Sequence, residues 1–135
     1  MLGVSSYKKA YVDECRARVE AQLAAWRKLV AGADKAAVAA FAPSYFATMV
    51  LAIDHYFLHR LRNQEGKNGN SLNELRMLCN SIQENGGMLA EDSTIKYDAA
   101  RSVAGIAIGK KIALDEATFA RLAGAFFDEI ERKYP

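Results

Sequence analysis

The sequence predicts a mainly α fold, a bundle of about four main helices carrying a small two-stranded β appendage at about 94–97 and 111–114. Three observations point there. Apolar residues recur every three or four positions over most of the chain, capping residues and glycines punctuate those stretches, and between Met88 and Leu114 the helical period gives way to short alternation. At 135 residues the chain reads as one domain, 1–135, large enough to bury most of its surface in a single core.

Residues 5 to 31 read as a long first helix. Val12, Cys15, Val19, Leu23, Trp26 and Val30 draw one apolar stripe, with charged residues opposite and Gly32 as the stop. Asp34 caps a short piece from Lys35 to Phe41, and Pro43 ends it while opening the next helix, about 43 to 64. That second main helix is apolar nearly all round, from Tyr45 and Phe46 through Val50 and Ile53 to Leu61, which marks a central helix packed on several sides. Gly66 breaks it and Asn68-Gly69 is a turn signal. Ser71-Leu72-Asn73-Glu74 has the form of a capping box, in which hydroxyl and carboxylate each reach the other residue's amide, and opens a third helix to about Asn85. Thr94–Tyr97 and Lys111–Leu114 alternate like strands and would pair as a ribbon lying on the helices. Asp115 caps the last helix, 116 to 133, with Phe119, Leu122, Phe126 and Ile130 inward.

Composition limits the function classes. A net charge of +2, with basic residues scattered along the chain, gives no expectation of a nucleic-acid partner. The N-terminal residues lack the apolar stretch of a signal peptide, and the apolar run Met49 to Ile53 is too short for a membrane span, so no membrane association is expected. Cys15 and Cys79 stand alone among apolar neighbours and read as reduced core residues of a cytoplasmic protein.

Chemistry concentrates between Asp54 and Asn70, which hold both histidines, two arginines, one lysine and three asparagines. His55 and His59 have the spacing of two ligands on one helix face, but the pair reads H-Y-F-L-H, without the glutamate of the zinc-peptidase helix and without a third ligand at a diagnostic distance. No metal and no cofactor is expected. Asp54 falls in an apolar sector between Ala47, Leu58 and Leu61, where a carboxylate must be paired, and Arg76 lies near the inward flank marked by Leu72 and Cys79. The two are expected to form an ion pair across the turn. Lys67-Asn68-Gly69-Asn70 precede a helix N-terminus whose free amides attract anions, and His59, Arg60 and Arg62 stand close in sequence. His59, Arg60, Arg62, Lys67 and Asn70 are therefore the candidate ligands of a phosphate or carboxylate group. The pattern is not a P-loop, since the upstream glycine is absent and Asn68 replaces the hydroxyl residue. No nucleophilic triad can be assembled, and an R-x-x-x-x-H ribonuclease motif is missing.

The same segment resembles an uncharacterised family of small, mainly helical actinobacterial proteins. The pattern D-x-x-x-x-H-R-x-R-x-x-E-G-K-x-x-N-x-x-N-E-x-R is matched by Asp54, His59, Arg60, Arg62, Glu65, Gly66, Lys67, Asn70, Asn73, Glu74 and Arg76, and the likeness extends weakly to Thr94-Ile95-Lys96, Gly109 and Ala125-Phe126-Phe127. The resemblance implies a small helical fold and carries no activity with it.

Two functional expectations follow. The first is a non-enzymatic helical domain that binds itself or a protein partner, with the turn 54–76 as a structural clasp. A homodimer is expected through the first helix, where Tyr7 and Tyr11 join the Trp26 stripe. The alternative is a small-anion binding protein or enzyme with its site at the 59–71 turn.

Overall fold

A computed structural model of the chain describes residues 3–135. It contains helices α1 (Lys9–Ala31), α2 (Lys35–Tyr56), α3 (Arg62–Glu65), α4 (Ser71–Glu84) and α5 (Glu116–Lys133). Helix α2 packs on α1, α4 and α5, α5 also touches α1 and α4, and their buried side chains merge in one core. The expected central helix is thus central. Its Phe46, Met49, Val50 and Ile53 side faces inward, and Trp26 of α1 stacks on Tyr45 with ring centroids 4.8 Å apart.

Helix boundaries moved where tertiary contacts outweighed local signals. The first helix begins at Lys9, because residues 4 to 7 run extended beside the α2–α3 turn: the Val4 amide donates to the His59 carbonyl at 2.7 Å and the Leu61 amide to the Val4 carbonyl at 2.8 Å. Asp34 caps as expected, accepting from the Ala37 amide at 3.0 Å, but Pro43 does not divide the helix. Proline removes only one amide donor, so α2 loses a single bond at the Ala39 carbonyl, and Ala39 is exposed. Helix α2 ends at Tyr56 rather than near 64. Phe57 turns into the core, its amide closing on the Asp54 and His55 carbonyls, and α3 follows as a separate single turn.

The β appendage is absent. Among the described residues the bridges outside strands are Val4 with Arg60, parallel, and Met88 with Lys111, antiparallel. The alternation in 94–97 and 111–114 is real at the level of burial, since Ile95, Ile112 and Leu114 point inward, but the two segments lie against different neighbours. Lys96 donates its amide to the Lys67 carbonyl, whereas Ile112 donates to Gly87 and Leu89 to Lys110. Coil with every second side chain buried carries the same sequence pattern as a strand.

By length and composition α2 could cross a membrane: an 18-residue window reaches a mean hydropathy of 1.8. Unbroken apolar runs do not reveal this, because Pro43, Ser44 and Thr48 divide the helix into short apolar pieces without adding charge. Here the helix instead lies against three others, with one side left uncovered.

Candidate functional site

The polar segment between α2 and α4 folds into a closed network centred on Glu65. Glu65 is the last residue of α3 and is wholly buried. One carboxylate oxygen accepts from Arg60 Nε at 3.0 Å and from Arg76 Nη2 at 2.7 Å; the other accepts from Arg76 Nε at 3.0 Å and from Asn73 Nδ2 at 3.0 Å. Arg60 is also buried, and its Nη1 donates to Asp54 at 3.1 Å and to the Phe57 carbonyl at 3.1 Å. Its guanidinium carbon lies 5.5 Å from the Phe126 ring centre, so the cation has two carboxylates and an aromatic face in place of water. Burial alone would raise the Glu65 pKa. The hydrogen bond from Arg76, the charges of Arg60 and Arg76 and the Asn73 amide outweigh it and hold the carboxyl below its usual range. Burial likewise works against the Arg76 cation, and Glu65 overrides it, so that pKa is raised.

The expected ion pair therefore has different members. Asp54 bonds to Arg60 and Arg76 bonds to Glu65, while Asp54 acts on Arg76 only through its field. The premise, that a carboxylate in the apolar sector of α2 needs a cation, holds. The partner is six residues along the chain because α2 ends early and turns Arg60 back beneath its last carbonyls.

The capping box is also reassigned. Asn70 is the N-cap of α4, its Oδ1 accepting from the Leu72 amide at 2.9 Å and the Asn73 amide at 3.1 Å. Its Nδ2 donates to the Glu65 carbonyl at 2.8 Å. The Glu74 carboxylate does not reach back to Ser71. It accepts from the Val103 and Ala104 amides, both at 2.9 Å, and fixes the long connection between α4 and α5. Gly69 has φ of +86°, and a Cβ there would meet the Lys96 carbonyl oxygen at 2.2 Å, so only glycine lets these two loops touch.

The candidate anion ligands do not converge. Arg60 points inward, Arg62 is half exposed and 3.9 Å from Glu65, and Lys67 is exposed. The α4 amides that would take an anion are occupied by Asn70. His59 is exposed and, with His55, borders a cavity of about 350 Å³ shared with Val4, Tyr7 and Tyr11, which Arg60, Arg62, Lys67 and Asn70 do not reach. No group of three or more His, Cys, Asp or Glu arranged to hold a metal occurs among the described residues.

The turn instead gathers both ends of the described chain. Gln64 Nε2 donates to the Ser5 carbonyl at 3.0 Å and the Lys133 carbonyl at 2.8 Å, Lys133 Nζ to the Glu65 carbonyl at 3.0 Å, and Tyr134 Oη to the Leu61 carbonyl at 2.8 Å. The Tyr7 amide closes on the Tyr134 carbonyl at 3.0 Å. Glu65, Gln64, Asn73 and Tyr134 lie outside the set of candidate site residues that the sequence offers. Glu65 and Asn73 stood in the family-like pattern, but nothing local distinguishes them from surface residues of a helical turn.

The first-helix stripe is used within the chain: Val12, Cys15, Val19, Leu23 and Trp26 are all buried against the other helices. Tyr7, Tyr11 and Val30 are half-buried. The uncovered apolar residues lie elsewhere, Leu29 and Phe41 at 70% and 54% exposure at one end of α2 and Leu58 at 50% just past the other. Comparison with protein-family models, with curated proteins and with solved structures finds no match.

Proposed function

We infer that this chain is a non-enzymatic, cytoplasmic helical domain that acts by binding, to itself or to a protein partner, with the polar turn as its structural clasp. One observation carries the reading: the groups best suited to chemistry, Arg60, Glu65, Asn73 and Arg76, bond to one another in a buried network that leaves only Arg60 Nη2, of their buried side-chain atoms, without a hydrogen-bond partner, and the same turn holds residues 4–7 and 133–134. A site for a small anion needs donors left free and aimed at one space. Here the donors face inward or stand apart in solvent. The kinship with small actinobacterial helical proteins belongs to the same proposal, since Asp54, Arg60, Glu65, Asn70, Asn73 and Arg76 of the shared pattern all belong to this network. The binding surface is the outer side of α2, which carries no charged side chain between Lys35 and Asp54 and stays largely uncovered. Exposed apolar surface of that extent on a helix marks an interaction face.

The test is a thermal-shift titration with phosphate, nucleotides and small carboxylates against chloride of matched ionic strength. The clasp predicts equal melting curves. A saturable rise that is lost in Arg62→Ala with Lys67→Ala would establish the anion site instead, since a ligand at a hundredfold excess over its dissociation constant adds about 2.7 kcal/mol.

A further inference from the structure

We propose that the outer face of α2 is the self-complementary interface of an antiparallel homodimer, the occupant of that face being a second copy of this chain. The inference rests on the reading of α2 as the binding surface and names its partner.

Charge decides first. A surface that meets its own copy across a twofold axis brings like residues near one another, so it must be neutral or carry both signs in register. The outer side of α1 exposes Asp13, Glu14, Arg18, Glu20, Arg27 and Lys28. The outer side of α2 has no charge over the 18 positions from Ala36 to Ile53, so two copies approach with no like-charge cost and little desolvation of ions. A membrane surface fits less well, because an interfacial helix carries lysine and arginine along its flanks. Here the α4 flank exposes Asn80, Gln83 and Glu84, and on the α1 flank Arg18 is paired with Glu14 and lies over the Tyr56 ring.

Shape agrees. With the axis level with Phe46 and passing between the exposed Ser44 and Thr48, antiparallel packing sets Phe41 opposite the half-buried Leu51 of the second copy and Ser44 opposite Thr48, an apolar side chain on an apolar one and a hydroxyl on a hydroxyl. The two helix dipoles then oppose, and the Lys35 end of one helix meets the carbonyl end of the other. The stripe is roughly 27 Å long at 1.5 Å per residue. A specific interface must bury more than about 1,000 Å² in total, and Leu29 and Leu58, 70% and 50% exposed, add apolar surface beyond the two ends of the stripe.

The experiment is sedimentation equilibrium of the full chain across a wide concentration range. It is run beside Phe41→Glu and Thr48→Arg and followed by oxidative crosslinking of cysteine variants. Phe41 stacks on Trp26, so Thr48→Arg, on an exposed side chain, serves if Phe41→Glu disturbs folding. Cys15 and Cys79 are buried and do not compete for crosslinking. Expected are a dimer, association weakened roughly 30-fold or more in either charged variant, crosslinking of Ala37→Cys combined with His55→Cys, and none of Ala37→Cys alone. A dimer indifferent to both charged variants, or one that Ala37→Cys alone crosslinks, overturns the proposal. A monomer that binds phosphatidylserine vesicles through Phe41 overturns the second copy as occupant and leaves the binding face standing. A monomer whose wild type and charged variants behave alike in every assay overturns the binding reading as well.

Discussion

Replacing Glu65 by glutamine keeps the size of the side chain and removes its charge from between two guanidinium groups. The carboxylate receives Arg76 Nη2 at 2.7 Å, Arg60 Nε at 3.0 Å, Arg76 Nε at 3.0 Å and Asn73 Nδ2 at 3.0 Å. Glutamine retains one acceptor oxygen and turns an amino group toward donors, so about two charge-assisted bonds are lost, each contributing about 1.5–3 kcal/mol. Arg60 is then left buried with Asp54 as its sole carboxylate, whereas Arg76, whose side chain is 22% exposed, can turn partly to water. The sum is a loss of about 3–6 kcal/mol, in line with the usual cost of breaking a buried pair, or roughly a 10–20 °C fall in melting temperature for a chain of this size. Urea denaturation followed by Trp26 fluorescence and circular dichroism measures it. The pH dependence supplies a second readout. Glu65 titrates in the fold below its ordinary 4.5, so its stabilisation is complete above that value and disappears as pH falls through the lower folded pKa. The wild type should therefore lose stability below pH 4.5 more steeply than Glu65→Gln. A loss under about 1 kcal/mol, or identical acid slopes, would refute the reasoning.

Other perturbations separate the clasp from its surroundings. Asn70→Ala removes the α4 cap and the donor to the Glu65 carbonyl, and chemical denaturation should show a loss of about 1–2 kcal/mol. Glu74→Gln should speed hydrogen exchange of the Val103 and Ala104 amides by roughly tenfold or more, the effect of losing one charge-assisted bond, while the cooperative melt remains. Gly69→Ala forces a Cβ onto the Lys96 carbonyl at positive φ and should cost more than about 1 kcal/mol by urea denaturation. Arg62→Ala should change stability by less than about 1 kcal/mol, because that side chain is 52% exposed and 3.9 Å from its acid.

Most of the helical frame is legible in the chain because caps and periodicity act locally. Asp115 accepts from the Thr118 amide and opens α5 as expected, and Asp34 does the same for α2. What failed is non-local. Ser71 and Glu74 have the spacing of a capping box, but Asn70 is one residue nearer the turn and the amides of 103–104 compete for the carboxylate. Asp54 does take a cation, but helical projection carries α2 on through Arg60. Once the helix stops at Tyr56, Arg60 and Glu65 come to lie between α2 and α4, and the pairing changes. Glu65 had no signal of its own: its burial is produced by Arg76, Asn73 and Lys133 from two other helices.

The closed state of this network can be observed directly through the side-chain Nε–H resonances of arginine. Arg60 and Arg76 should give resolved signals protected from solvent exchange, unmoved by added phosphate, while Arg62 exchanges rapidly. An Arg60 Nε–H that exchanges as fast as that of Arg62, or shifts saturably with phosphate, would contradict the clasp.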